Sequence, residues 1–245
     1  STLLQRIHYQ TDLRWFTRAS LNAASSVTAV SRFMADIARK ELGFSQKIQV
    51  IYNGIDTAEF SPPLKKPASK TLRVLYAGNL HRRKGPFLLP DIAQKLNPGI
   101  RIDYARGLKS KSSLPPAPNL TDLGNVPLRE MPALYPQYDL LLFPSVREGF
   151  GLVVAEAMSC GLPIVASNTS AIPELVVDGR GGLLCEPGNA KDFAEKINLL
   201  AEAPESRREM GEFNRSRVEQ YFTRERMICE YSELFEKILD RGVYE

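Results

Sequence analysis

From Val27 onward the chain alternates short apolar runs with amphipathic stretches of helical period, and few architectures accept that alternation besides a parallel sheet covered by helices on both faces. Ser26–Val30 and Lys47–Ile51 read as strands. Between them Ser31 is placed to cap a helix running to about Leu42, and Gly43 is placed to stop it. Further strand-like runs follow at Arg73–Ala77, Ile100–Tyr104, Leu120–Leu123, Leu140–Phe143, Ile164–Ser167 and Gly182–Cys185, with helical patterns in most gaps. Six such strands suffice for a complete nucleotide-binding sheet. From Asn189 the tail is helical by pattern, broken at Pro204 and near Thr223.

Phe60–Lys70 is rich in proline and lysine and shows no periodicity, which marks a linker. The residues before it supply two strands and two helices, too little apolar surface to close an independent core. The expected organisation is a remnant of an N-terminal domain over 1–62, a linker over 63–70 and a ligand-binding domain over 71–222. A helix over 223–245 is expected to pack back toward the N-terminal part. A chain that starts at Ser1 instead of methionine fits a fragment or a processed product equally well.

Charge is distributed unevenly. Residues 1–115 hold 19 Lys and Arg against 7 Asp and Glu, while the remainder holds 13 against 21. A basic half facing anions is one reading, and a solvated basic face is the plainer one. Neither zinc-finger spacing nor a basic run interleaved with aromatics supports a nucleic-acid partner. Cys160, Cys185 and Cys229 lie far apart at no metal-ligand spacing, which suits a reducing cytoplasm. No apolar run reaches eighteen residues.

The segment Arg147–Pro163 carries the strongest chemical signal. It follows the strand ending in Leu142-Phe143 and contains Glu148 and Glu156 eight positions apart. Gly149 and Gly151 let backbone amides approach a ligand, and the helix starting near Gly151 offers unpaired N–H groups and its positive end to an anion. Glu148 precedes that helix at the carboxyl end of a strand, whereas Glu156 is expected about one and a half turns inside it. Taken singly, each of these features is also an ordinary helix start or core residue.

Tyr76–Gly85 forms a second signal: a strand, a turn, the basic cluster Arg82-Arg83-Lys84 and a helix start. Cations are disfavoured at a helix start, so their presence there suits a phosphate. A Lys or Arg bond to a phosphate oxygen contributes roughly 1.5–3 kcal/mol.

These segments together resemble the retaining glycosyltransferases of family 4, the glycosyl transferases group 1. The string from Glu148 to Glu156 resembles their E-x7-E motif, with Pro144-Ser145 before it and Glu156-Ala-Met-Ser-Cys-Gly-Leu-Pro163 trailing. The same order holds for Val30-Ser31, Asn53-Gly-Ile-Asp56, Lys84-Gly85, Met131-Pro-Ala-Leu-Tyr135, Ile172-Pro-Glu-Leu175, Asp178-Gly179 and Pro187-Gly188. The resemblance implies an α/β chain of GT-B type, with a C-terminal Rossmann-like domain built on a parallel sheet and a partial N-terminal Rossmann-like domain. It further implies retention of anomeric configuration.

By the same resemblance Glu148, Lys84 and Arg83 are the expected catalytic residues. Gly78, Asn79, Arg82, Gly149, Phe150, Gly151, Leu152 and Glu156 are expected at the donor, with Glu156 accepting from ribose hydroxyls. The donor is a nucleotide diphosphate sugar, UDP- or GDP-linked, and the acceptor a saccharide or glycolipid. Partners are the rest of an N-terminal domain or a second chain, with peripheral contact at the inner membrane face compatible with the family's setting. No cofactor is implied, and with no Asp-x-Asp pair in the sequence no metal is expected.

Three departures stand out. Asn79 occupies the place of an arginine, leaving Arg82 or Arg83 to supply the charge. Ala105–Lys111 replaces a glycine-rich turn, and Ser167–Glu174 lacks paired glycines. A glycosidase using Glu148 and Glu156 as a carboxylate pair, a non-catalytic sugar-nucleotide-binding module and a GT-B epimerase remain the competing readings.

Overall fold

The computed structural model describes residues 15–64, 71–107 and 113–242. Residues 65–70 of the linker expected over 63–70 and residues 108–111 of the Ala105–Lys111 turn lie outside the described residues.

The amino-terminal part contains a helical stretch over 15–23 (α1), β1 (Val27–Ala29), α2 (Arg32–Leu42) and β2 (Ile48–Val50). Strands β1 and β2 pair in parallel with Val27 opposite Ile48. Ser31 caps α2 by accepting from Met34 N, and Gly43 ends it in the left-handed conformation at φ 63°. The core of this unit is Val27, Ala35, Phe44 and Ile48.

The larger part is a six-stranded parallel sheet of β3 (Leu72–Gly78), β4 (Ile100–Arg106), β5 (Leu120–Asn125), β6 (Leu140–Phe143), β7 (Ile164–Ser167) and β8 (Gly182–Cys185). Its order is β5-β4-β3-β6-β7-β8, the doubly wound arrangement whose direction of growth reverses between β3 and β6. Alternate residues feed two separate cores. Leu75, Ala77, Leu141, Phe143, Ile164 and Ala166 join one, while Val74, Tyr76, Leu140, Leu142 and Val165 join the other.

Helices α3 (Leu89–Ala93), α4 (Met131–Leu134), α5 (Leu152–Ser159), α6 (Ile172–Leu175) and α7 (Ala190–Glu202) link and cover these strands. The tail continues as α8 (Pro204–Tyr221) and α9 (Arg224–Gly242). Helices α3, α4 and α6 are short, at five, four and four residues. Each has a proline in its first turn, which fixes where it starts, and each lacks the length to stand without the sheet beneath it.

The two parts are laced together. The Glu174 carboxylate on α6 accepts from Arg32 N at 2.9 Å and Phe33 N at 2.8 Å, filling the amino end of α2. Tyr52 Oη donates to the same carboxylate at 3.0 Å. At the other end of the chain Ile55 N donates to Phe222 O, Arg224 N donates to Ile55 O, and Arg224 lies 2.8 Å from Asp56.

Candidate functional site

At the reversal point the loops leaving β3 and β6 lie side by side over the carboxyl ends of the sheet, the place where doubly wound sheets form a crevice. From β3 come Gly78, Asn79 and His81, then a single 3-10 turn over Arg82–Lys84 and finally Gly85. His81 starts that turn by accepting from Arg83 N through Nδ1 at 3.3 Å. Gly85 closes it at φ +70°, and a β-carbon there would stand 1.9 Å from the Pro144 carbonyl oxygen on the loop after β6. Only glycine fits that approach.

The loops are bonded as well as packed. Arg83 O accepts from Val146 N at 2.8 Å. Lys84 Nζ lies 2.7 Å from Glu148 Oε1, and Ser145 Oγ lies 2.5 Å from the same oxygen and 3.0 Å from Arg83 O. The hydroxyl has one proton and donates to one of these acceptors at a time; the short contact to a charged oxygen is the stronger. Glu148 is 9% exposed, so its charge is stabilised by the partnered ammonium and hydroxyl. Lys84 also stands 5.7 Å from the centre of the Phe143 ring.

The amino end of α5 faces the same loops. Gly151, at φ +107°, caps it without a side-chain bond, and Val154 N and Ala155 N return to Gly151 O. The preceding amides differ in availability. Glu148 N already donates to Ser170 Oγ at 3.0 Å. Gly149 O accepts from Ser31 Oγ at 2.6 Å, so the trans peptide that follows turns Phe150 N–H to the side away from Ser31. The Phe150 ring itself is buried against Tyr52 and Phe222, at centroid distances of 6.1 and 5.8 Å, which leaves only its amide for a ligand.

Leu152, the first residue of α5, is 48% exposed and not part of the core. Glu156 is the fifth residue of α5, a little over one turn inside it and shallower than the sequence reading placed it. Its Oε2 accepts from Tyr135 Oη at 2.7 Å. Burial raises its pKa from 4.5, the Tyr135 bond opposes that rise and the nearby Glu59 charge adds to it.

Asn79 is exposed, its carbonyl accepting from Tyr76 Oη at 3.2 Å. Gly107 passes so near that a β-carbon would come within 2.0 Å of Asn79 Oδ1. The side chains of Arg82 and Arg83 are exposed, and neither forms an ion pair with a carboxylate among the described residues. The structure thus brings Lys84, Glu148 and the Arg83 main chain together. Glu156 stands apart from them with its own partner. Among the described residues no group of three or more His, Cys, Asp or Glu could hold a metal ion. No helix among them is long and apolar enough to cross a membrane.

Four contributors were not assigned to the site from sequence: Ser31, expected only as a helix cap, Tyr135, Ser145 and Ser170. The first three lie within the segments Val30-Ser31, Met131–Tyr135 and Pro144-Ser145 that carried the resemblance, but a hydroxyl's partner 21 or 118 positions away is visible only once the chain is folded. Ser170, a non-glycine residue at φ 52°, lies in the Ser167–Glu174 loop that departs from the usual pattern.

Comparison with known proteins shows the family and the fold. Residues 59–217 match the family model described as glycosyl transferases group 1, and residues 3–59 match that of glycosyltransferase family 4. D-inositol 3-phosphate glycosyltransferase of Pseudarthrobacter chlorophenolicus is 30% identical over 188 residues, 67% of this chain and 44% of that protein. The chain spans about half the length of curated relatives of this kind. Sucrose-phosphate synthase from Thermosynechococcus elongatus superposes with a TM-score of 0.84 at 24% identity, over 93% of this chain and 62% of that one. Anabaena HepE, solved with UDP-glucose, gives 0.81 at 23%, over 96% and 70%. At these identities the two structures show a shared fold.

Proposed function

Since the chain belongs to the glycosyl transferases group 1 family and has its GT-B type of fold, we propose that it is the donor-binding portion of a retaining glycosyltransferase. It takes a sugar from a nucleotide diphosphate sugar and passes it to a saccharide or glycolipid acceptor. The observation that carries this reading is the cationic turn bearing Lys84 meeting the Glu148 loop in one crevice, 64 positions apart in sequence and 2.7 Å apart in space.

In this reading the diphosphate lies between the 3-10 turn and the amino end of α5. Lys84, assisted by Arg82 or Arg83, and the Phe150 amide stabilise the negative charge that grows as the sugar–phosphate bond breaks. Glu148 aims the ammonium and contacts the sugar, and Glu156 accepts from ribose hydroxyls. Neutralisation by side chains and amides makes a metal unnecessary. HepE, bound to UDP-glucose, favours a uridine donor. The acceptor site belongs largely to an N-terminal domain of which residues up to about 62 form a part.

Calorimetric titration with UDP-, GDP- and ADP-sugars tests the proposal. One of them should bind, and both Lys84→Ala and Glu156→Ala should weaken it. Binding insensitive to both changes would remove the site from this crevice.

A further inference from the structure

Tyr135 is fully buried, yet its hydroxyl is directed at a carboxylate on another element: Oη lies 2.7 Å from Glu156 Oε2. The ring is fixed on all sides, tilted against Phe60 at 6.0 Å between centroids and set within the core that contains Met131, Tyr138 and Val154. A phenol held in that way offers its proton in one direction only. Among the described residues Glu156 Oε1 has no protein donor, so one carboxylate oxygen is tethered and the other is available.

We propose that Tyr135 is a positioning residue for ligand binding: its hydroxyl tethers Glu156 Oε2 so that Oε1 faces ligand hydroxyls as an ionised acceptor. This rests on the reading of Glu156 as the residue that accepts from ribose. A carboxylate in a half-buried place is driven toward its neutral form, in which one oxygen becomes a donor and competes with the ligand's own hydroxyl protons. The charged group facing it is Glu59, which opposes ionisation, and the neighbouring Cys160 thiol is held neutral by burial. The Tyr135 bond is the interaction that acts in favour of the carboxylate.

The test uses the tightest binder among UDP, GDP and ADP, together with its 2′,3′-dideoxy analogue, and the variants Tyr135→Phe and Glu156→Gln. Tyr135→Phe removes one oxygen and leaves the ring packing in place. It should weaken the ribonucleotide roughly three- to tenfold at pH 8 and further at pH 6, with the dideoxy analogue unaffected. A carboxyl carbon NMR titration of the unliganded chain should show the Glu156 pKa higher in Tyr135→Phe than in the parent, a readout that loss of packing alone would not move. If Glu156→Gln weakens the ribonucleotide while Tyr135→Phe changes neither affinity nor the Glu156 titration, the positioning role is wrong and the ribose reading stands. If no nucleotide binds, or Glu156→Gln and the dideoxy analogue both behave as the parent, the ribose reading falls and takes this proposal with it.

Discussion

Gly85 meets the Pro144 carbonyl so closely that no β-carbon fits between them, and this contact joins the loop after β3 to the loop after β6. Lys84 and the Pro144–Glu148 segment are held at working distance by that backbone contact.

Gly85→Ala should therefore cost far more than its size suggests. The left-handed backbone alone costs about 1–2 kcal/mol for a residue with a β-carbon, and the clash with Pro144 is with backbone that cannot rotate away. Gly188→Ala is the control, since Gly188 has φ +84° with nothing within 4 Å of the added carbon and should show the first cost only. Urea unfolding of the two variants measures the difference; equal losses would mean that the loops separate freely.

Lys84→Ala should weaken nucleoside diphosphate binding by more than tenfold, the loss of one charge-assisted bond of roughly 1.5–3 kcal/mol. It also leaves Glu148 buried with only Ser145 beside it, so stability should fall too. Lys84→Ala combined with Glu148→Gln should regain the stability but not the affinity. Thermal unfolding and calorimetry on the single and double variants separate the two effects.

The raised pKa of Glu156 gives stability a defined pH dependence. The folded chain holds that proton more tightly than the unfolded chain, so the contribution is complete below the ordinary value of 4.5 and is lost as pH rises through the raised one. Glu156→Gln should then gain stability over the parent as pH rises through that window and match its pH dependence below it. Urea unfolding at a series of pH values reads this out, and parallel curves throughout would contradict the burial assigned to this carboxylate.

Glu174→Ala should loosen the amino-terminal unit. It strips acceptors from Arg32 N, Phe33 N and Tyr52 Oη together; the exposed Arg32 amide can turn to water, while the partly buried Phe33 and Tyr52 donors cost up to about 1–3 kcal/mol each when left unmatched. Hydrogen exchange should quicken in α2 and β1 ahead of the six-stranded sheet. Uniform quickening through the whole chain would show that the two parts unfold as one.

Strand placement was nearly all legible in the sequence because β6, β7 and β8 are short apolar runs bounded by turn residues, and the bounds of α2 follow from Ser31 and Gly43 at its ends. The approach of Lys84 to Glu148 was legible only through resemblance, since nothing in either loop specifies that β3 and β6 are neighbours. The burial of the Phe150 ring was not legible, because Tyr52 and Phe222, which enclose it, are distant in sequence. Single hydroxyls such as those of Ser31 and Tyr135 carry no pattern of their own, and their partners become known only from the fold.

The 64 positions separating Lys84 from Glu148 make the crevice a product of long-range assembly. No segment of the chain can form it alone, because the entropy of closing so long a loop is recovered only when the middle of the sheet zips together. A bound diphosphate would consequently act as a clasp on the completed sheet, raising the melting temperature with the logarithm of its concentration.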